Sequence, residues 1–387
     1  MKNAHKRWGL GAALTLVAGG LLAMAAPTAA TAAQPPNACG MQPRSGHIAG
    51  IVPAIGNCPA AAAALKTSAT STTSDAAKGT PPLIFHGGPV MMTPSTGPLI
   101  VTPVFWNPSG HPMSFSYKAL LTAYLGAVSL ASGQNSNVYS VLNEYFGNNG
   151  QVHYRVRLGF PINDTDPLPA SGCTLASTDT TGIYADHSGY DACLDDAQVQ
   201  AEIDSVTAAR GLPRNLTHIY VLYLPKHVES CFFAGSTTTA ANACTINYQP
   251  SAAYCAYHSQ IADGTVYANM PYPIYQSPVG FTCGTEKNFG VIESPNGNPD
   301  ADVEISPTSH EISEAITDPD TMTGWYDSSG FEIGDECAYI FGQTQGAPGR
   351  LFNQVISGFR FLTQEEFSNR DFVITGGGCV QNARDEA

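Results

Sequence analysis

Between Ser309 and Glu314 the chain reads SHEISE, which places an imidazole and two carboxylates within a short span. On an α-helix, residues four apart project about 40° from one another around the axis. His310 and Glu314 then face one point and can grip a single cation together. Glu311, one position on from His310, stands beside that point and can take a proton from water held there. General-base hydrolysis is the chemistry this spacing offers. A third ligand must come from elsewhere. The same residues also read as an ordinary helix start, with Ser306-Pro307 as N-cap and first-turn proline and Thr308-x-x-Glu311 as a capping box.

The stretch from His310 to Asp335 resembles the thermolysin-type gluzincin metallopeptidases. There HExxHA(V/I)TD is followed, roughly twenty residues on, by a Ser-Gly turn, a ligand glutamate and an acidic residue that orients the first histidine. Here HEISEAITD is followed by Ser329-Gly330 and then Glu332-Ile333-Gly334-Asp335. The resemblance implies His310 and Glu332 as ligands, Glu311 as base and Asp335 as the partner behind His310. Glu314 stands where that family has its second histidine. A carboxylate there adds negative charge and makes bound water a weaker acid. It shifts preference from zinc, the first expectation, towards manganese, iron or calcium. Asp320, echoing the shorter metzincin spacing, is an alternative third ligand. Asp318 suits the role less, because it precedes Pro319 and is pushed out of helical geometry.

Other residues offer less. His86 in FHGGP and His258 in CAYHS could line the same cleft, although a histidine satisfied by backbone groups is the more ordinary outcome. Tyr326 could reach a substrate oxygen, with Trp325 packing beside it. Asn296, Asn298, Asp300, Asp302 and Glu304 set oxygen-bearing side chains at every second position, as a calcium loop or a solvated turn would. No G-x-S-x-G and no glycine-rich phosphate loop occurs, which excludes the usual serine hydrolase and nucleotide sites.

These residues need a scaffold. LIVTPVFW (99–106) and HIYVLYLP (218–225) read as strands, the first at an edge or bulge because of Pro103. SFSYKALLTAYLGAVSLA (114–131), NVYSVLNEYF (137–146) and DAQVQAEIDSVTAARG (196–211) carry helical spacing, and QVHYRVRLGF (151–160) alternates like a strand. The mixture predicts an α/β or α+β fold: one disulfide-bonded globular domain with a mixed sheet and flanking helices.

Before it, residues 1–32 carry a basic start, an apolar run and an Ala-x-Ala site, the pattern of a signal peptide. Residues 33–82 are Ala, Pro, Ser and Thr rich, as in a pro-segment or linker, and 83–387 are globular in composition. All ten cysteines follow the signal, so five disulfides in a secreted, extracellular protein are expected. Neighbour pairing would join Cys39–Cys58, Cys173–Cys193, Cys231–Cys244, Cys255–Cys283 and Cys337–Cys379, one connectivity among many. A net charge of −14 argues against nucleic acid as a partner. No segment of the mature chain is apolar enough to span a bilayer.

The phrases FHGGPVMMTPSTGPLIVTPVFW, DAQVQAEID, YVLYLPKHVESCF, YCAYHS and SPNGNPDADVEISPTSHEISEAITDP run in the order found in the EXORDIUM, or phosphate-induced protein 1, family. The resemblance spans Leu83 to Cys379 and is nearest to the bacterial branch that keeps HExxE. It implies a secreted, wall-associated protein. A metal-dependent peptidase or amidase built on HExxE is the expected activity, with a non-catalytic extracellular or wall-binding protein as the alternative. The expected partner is a peptide or a cell-wall polymer.

Overall fold

Strands covered on both faces must be apolar throughout, and LIVTPVFW and HIYVLYLP meet that demand. The computed structural model describes residues 48–53 (backbone only), 80–176, 182–184, 186–238, 242–246, 254–274, 283–284 and 292–383. Its centre is a seven-stranded mixed sheet. The strands are β1 (Ile48–Pro53), β2 (Leu99–Trp106), β3 (Val156–Leu158), β4 (Ile162–Asp164), β5 (His218–Tyr223), β6 (Tyr254–Gln260) and β7 (Val266–Met270). Their order is β1-β6-β7-β5-β2-β3, with β4 also on β2. Parallel pairing joins β7, β5, β2, β3 and β4, while β6 runs antiparallel to both neighbours. The mixed α/β architecture expected from the sequence is therefore present. Residues 1–32 and the Cys39–Cys58 pair lie outside the described residues. Inside the stretch read as a linker, Ile48–Pro53 forms the edge strand β1.

Pro103 is not at an edge, contrary to the sequence reading, since β2 has neighbours on both sides. Beyond Val101 the β3 pairing stops, and at Val104 the β4 pairing begins. The missing proline N–H falls where the neighbouring strand is interrupted, so an interior strand tolerates it. The expected strand 151–160 shortens to β3 for the same reason of local competition. Asn143 Oδ1 takes the Tyr154 N–H, and Gln151 Nε2 bonds the Asn143 and Tyr145 carbonyls.

Side chains alternate across the sheet with period two. Ile219, Val221 and Tyr223 of β5 join one core with helices α1 (Phe115–Leu130) and α3 (Pro299–Thr317). Tyr220 and Leu222 join a second core with α2 (Asp196–Arg210). The α2 helix begins with an Asp195–Gln198 capping box and, as its sequence predicts, ends on Gly211, at φ 59°. Residues 138–144 form a 3-10 helix. Asp196 accepts from the hydroxyls of Tyr257 (2.7 Å) and Tyr267 (2.6 Å) beneath the sheet. Asp196→Ala should leave both without their acceptor and lower the unfolding free energy by about 2–4 kcal/mol in chemical denaturation.

Four of the expected disulfides are present: Cys173–Cys193, Cys231–Cys244, Cys255–Cys283 and Cys337–Cys379. The last spans 42 residues, worth about 4 kcal/mol on the chain-entropy account. It fixes the turn Asp335–Cys337 to the C-terminal strand Cys379–Val380. Among the described residues, no helix is long and apolar enough to cross a membrane.

Candidate metal centre

The HExxE residues sit on α3, and that helix starts earlier than its HExxE segment suggests. Asn298 is the N-cap, accepting from Ala301 N, and Pro299 takes the first helical position. Pro307 lies in the helix interior, and Thr308 meets the Tyr223 hydroxyl at 3.2 Å. The capping-box reading of Thr308–Glu311 is therefore overturned. The calcium-loop or solvated-turn reading of Asn296–Glu304 changes as well. Asp302 is buried and accepts from Ser294, Asn296 and Asn298, so the segment is an intramolecular turn that starts the helix.

From Ala301 to Thr317 every residue of α3 is buried. Its polar positions thus face protein on every side. Asp318 caps the end and takes the N–H groups of Met322, Thr323 and Gly324 at 2.7–3.0 Å. That holds the turn leading to the second acidic segment. His310, Glu311, Glu314, Glu332 and Asp318 are all 0% exposed, as is His258 from β6. Asp335 and Glu366 are buried beside them.

Two groups emerge. His258, Glu314 and Glu332 each offer a ligand atom within 4.8 Å of the others, and so do His310, Glu314 and Asp335. Glu314 belongs to both. Its Oε1 accepts the N–H groups of Gly334 (3.1 Å) and Asp335 (2.9 Å), which aims the carboxylate. His310 Nε2 lies 3.0 Å from that oxygen and 3.5 Å from Asp335 Oδ1. Asp335, expected behind His310, is indeed its neighbour. Glu332, expected to share a cation with His310, is grouped with His258 instead. Asp320 is exposed and in neither group.

The imidazoles differ in what they can offer. Gln364 Nε2 stands 2.8 Å from His310 Nδ1 while also donating to Gly334 O at 2.7 Å. An amide nitrogen shared this way must donate to both, so Nδ1 accepts and the His310 proton is on Nε2. Burial works against a charged His310, but Glu314 and Asp335 on its Nε2 side raise its pKa well above the usual range, and the second proton that this favours would sit on Nδ1 and turn the Gln364 amide oxygen towards it. His258 shows the opposite pattern. Its Nε2 faces the Asp318 carbonyl at 3.2 Å and donates to it. Its Nδ1 lone pair then faces Glu311 Oε2 at 3.3 Å and Glu314 Oε2 at 3.8 Å. Burial lowers the His258 pKa, which keeps that lone pair free. A histidine with one nitrogen donating to a carbonyl can present the other to a metal; here that nitrogen lies 3.3 Å from Glu311 Oε2, while Glu332 Oε2 stands 3.9 Å from the Nε2 side of the ring.

The carboxyls are under strain of a different kind. Glu314 Oε2 and both oxygens of Glu332 and Glu366 are buried without a well-formed hydrogen bond, Glu332 facing Asp318 and Glu366 facing Ser313. Burial, then Glu314 and Asp318, raises the Glu332 pKa well above the carboxylate range. Burial and Glu314 push Asp335 up to about 7. Charges packed this way need protons or a cation. An imidazole with several carboxylates fits a divalent ion of the zinc, manganese, iron or calcium range.

Sequence reasoning ranked His258 low and missed Gln364 and Glu366. His86 is exposed and stacks on Tyr326 with centroids 3.5 Å apart. Tyr326 bonds the Met322 carbonyl, and burial together with Asp318 and Glu332 raises its pKa. Comparison of the chain with protein-family models, with curated proteins and with solved structures gives no match.

Proposed function

We propose that this chain is a secreted, EXORDIUM-like extracellular protein with a divalent-cation centre of the metal-dependent hydrolase type, acting on peptide or amide bonds. The observation that carries this reading is the set of buried side-chain atoms without well-formed hydrogen bonds that surrounds Glu314. His258, Glu314 and Glu332 would hold the cation, and when bound it would polarise a carbonyl or water oxygen. His310 and the amides of Gly334 and Asp335 orient Glu314. Glu311, beside the His258 lone pair, is the residue placed to accept a proton from attacking water. The basic and apolar start of the sequence and the four disulfides support secretion.

A second reading, a non-catalytic wall-binding protein that keeps the centre for stability, is favoured by one observation. His258, His310, Glu311, Glu314 and Glu332 are all 0% exposed, so a substrate needs the covering segments to move. One comparison separates the readings. Metal content is measured on the secreted protein and on two variants, with amidase and peptidase turnover on model peptides. His258→Ala should lower metal affinity at least tenfold. Glu311→Gln should keep the metal and lose at least a hundredfold in turnover. Wild-type protein without metal ends the centre itself. Metal with no turnover in either form leaves the binding-protein reading standing.

A further inference from the structure

A second acidic cluster lies apart from the HExxE centre, at the carboxyl ends of β2 and β4. In open α/β sheets that end of the parallel strands is where ligands bind. Here the chain leaves β4 through Asp164-Thr165-Asp166 and meets the first turns of α2. Asp164, Asp166 and Glu202 bring one carboxylate oxygen each to within 4.8 Å of the others. Beside them opens a cavity of about 420 Å³, lined by Glu202, Asp166, Trp106, Pro167 and Pro169. Trp106 Nε1 donates to the Asp166 carbonyl at 2.9 Å and fixes that loop against the sheet.

Clustered acids alone signify little, because solvent screens them. Glu202 is the exception to that screening. It is 7% exposed, lines the cavity, and its Oε1 is buried with no hydrogen-bond partner. Its carboxyl is set against that of Asp164, and the nearby Arg210 guanidinium offsets only part of their repulsion, so a proton or a bound cation is needed between them. We propose that Asp164, Asp166 and Glu202 form a binding site for a calcium-class divalent cation, with water from the open cavity completing its shell. The donors are all oxygen, and Asp166 is exposed to admit the ion. That set suits a hard cation over zinc. The bound ion would tie the loop after β4 to α2. The competing explanation is a shared proton, consistent with burial and Asp164 raising the Glu202 pKa to about 9.

Calcium and magnesium titrations of the full secreted protein, followed by thermal unfolding and calorimetry, decide between them. The wild type should gain about 5 °C at a hundredfold excess of calcium over Kd. Asp166→Asn, a change at an exposed position, should weaken calcium binding at least tenfold and abolish the shift. Glu202→Gln should do the same. No calcium response in the wild type overturns the proposal, as does a response that survives in both variants when each also carries His258→Ala, which removes a ligand of the HExxE centre. Glu202→Gln more stable than wild type with calcium binding unchanged would show the proton alone.

Discussion

Gly334→Ala should cost the protein about 3 kcal/mol or more and scatter the centre, although the backbone there accepts any residue. Gly334 has φ −81° and ψ −38°, an ordinary helical conformation. The obstacle is space. A Cβ at this position would lie 2.6 Å from His310 Nδ1 and 2.7 Å from its Cγ. Neither neighbour can yield cheaply. The His310 ring is buried, with Gln364 on one side and Glu314 on the other. Moving the 334 backbone instead would pull its N–H from Glu314 Oε1 and its carbonyl from Gln364. Overpacking by one methyl costs about 1–3 kcal/mol, and each buried hydrogen bond lost adds about 1–3 kcal/mol. Gly126→Ala in α1 is the control. Its Cβ would meet only Leu158 Cδ2, at 3.7 Å, and removing a helical glycine should stabilise by about 0.5–1 kcal/mol. Urea denaturation of both variants tests the contrast. Equal stabilities would mean that the His310 ring is not held where the structure has it.

The same geometry shows what sequence could reach. Local signals read well: the span of α2 and the Gly211 that ends it, the apolar strands and the helical face of α1 all follow from neighbours in the chain. Even the true start of α3 was written in Asn298-Pro299-Asp300, but Pro307 drew attention to a later start because helices rarely contain proline. A helix buried against β6 and β7 tolerates it. The grouping of acids with imidazoles was not legible in the same way. The spacing from Glu314 to Glu332 and Asp335 measures a loop, and it does not say which side of the helix either acid approaches. His258 lies on a strand far upstream, and only the place of β6 in the sheet brings it to α3. The role of each imidazole depended on Gln364 and the Asp318 carbonyl, partners no pattern announces.

Removing the cation should make stability depend on pH in the direction opposite to the loaded protein. Glu311, Glu314, Asp318, Glu332, Asp335 and Glu366 are six carboxyls buried with only two imidazoles. Without a metal, protons are what neutralise them. Asp335 illustrates the sign: its usual value near 3.8 rises to about 7, through burial first and Glu314 second. A folded-state pKa raised this way favours folding below pH 4. The advantage is lost between pH 4 and 7, as the unfolded chain releases its proton first. Roughly 4 kcal/mol follows for Asp335 alone at about 1.4 kcal/mol per unit. Glu332 and Glu366, raised by burial and by neighbouring acids, act in the same sense. A bound divalent ion reverses this, because it competes with those protons and is held more tightly as they leave. Chelated protein should therefore lose stability from pH 4.5 to 8, while metal-loaded protein holds or gains over that range. Acid groups elsewhere, Glu202 among them, contribute equally to both forms once calcium is matched, so the difference between the two curves isolates the centre. Parallel curves, with no proton release on adding zinc or manganese at pH 7, would mean that protons alone hold these carboxyls together.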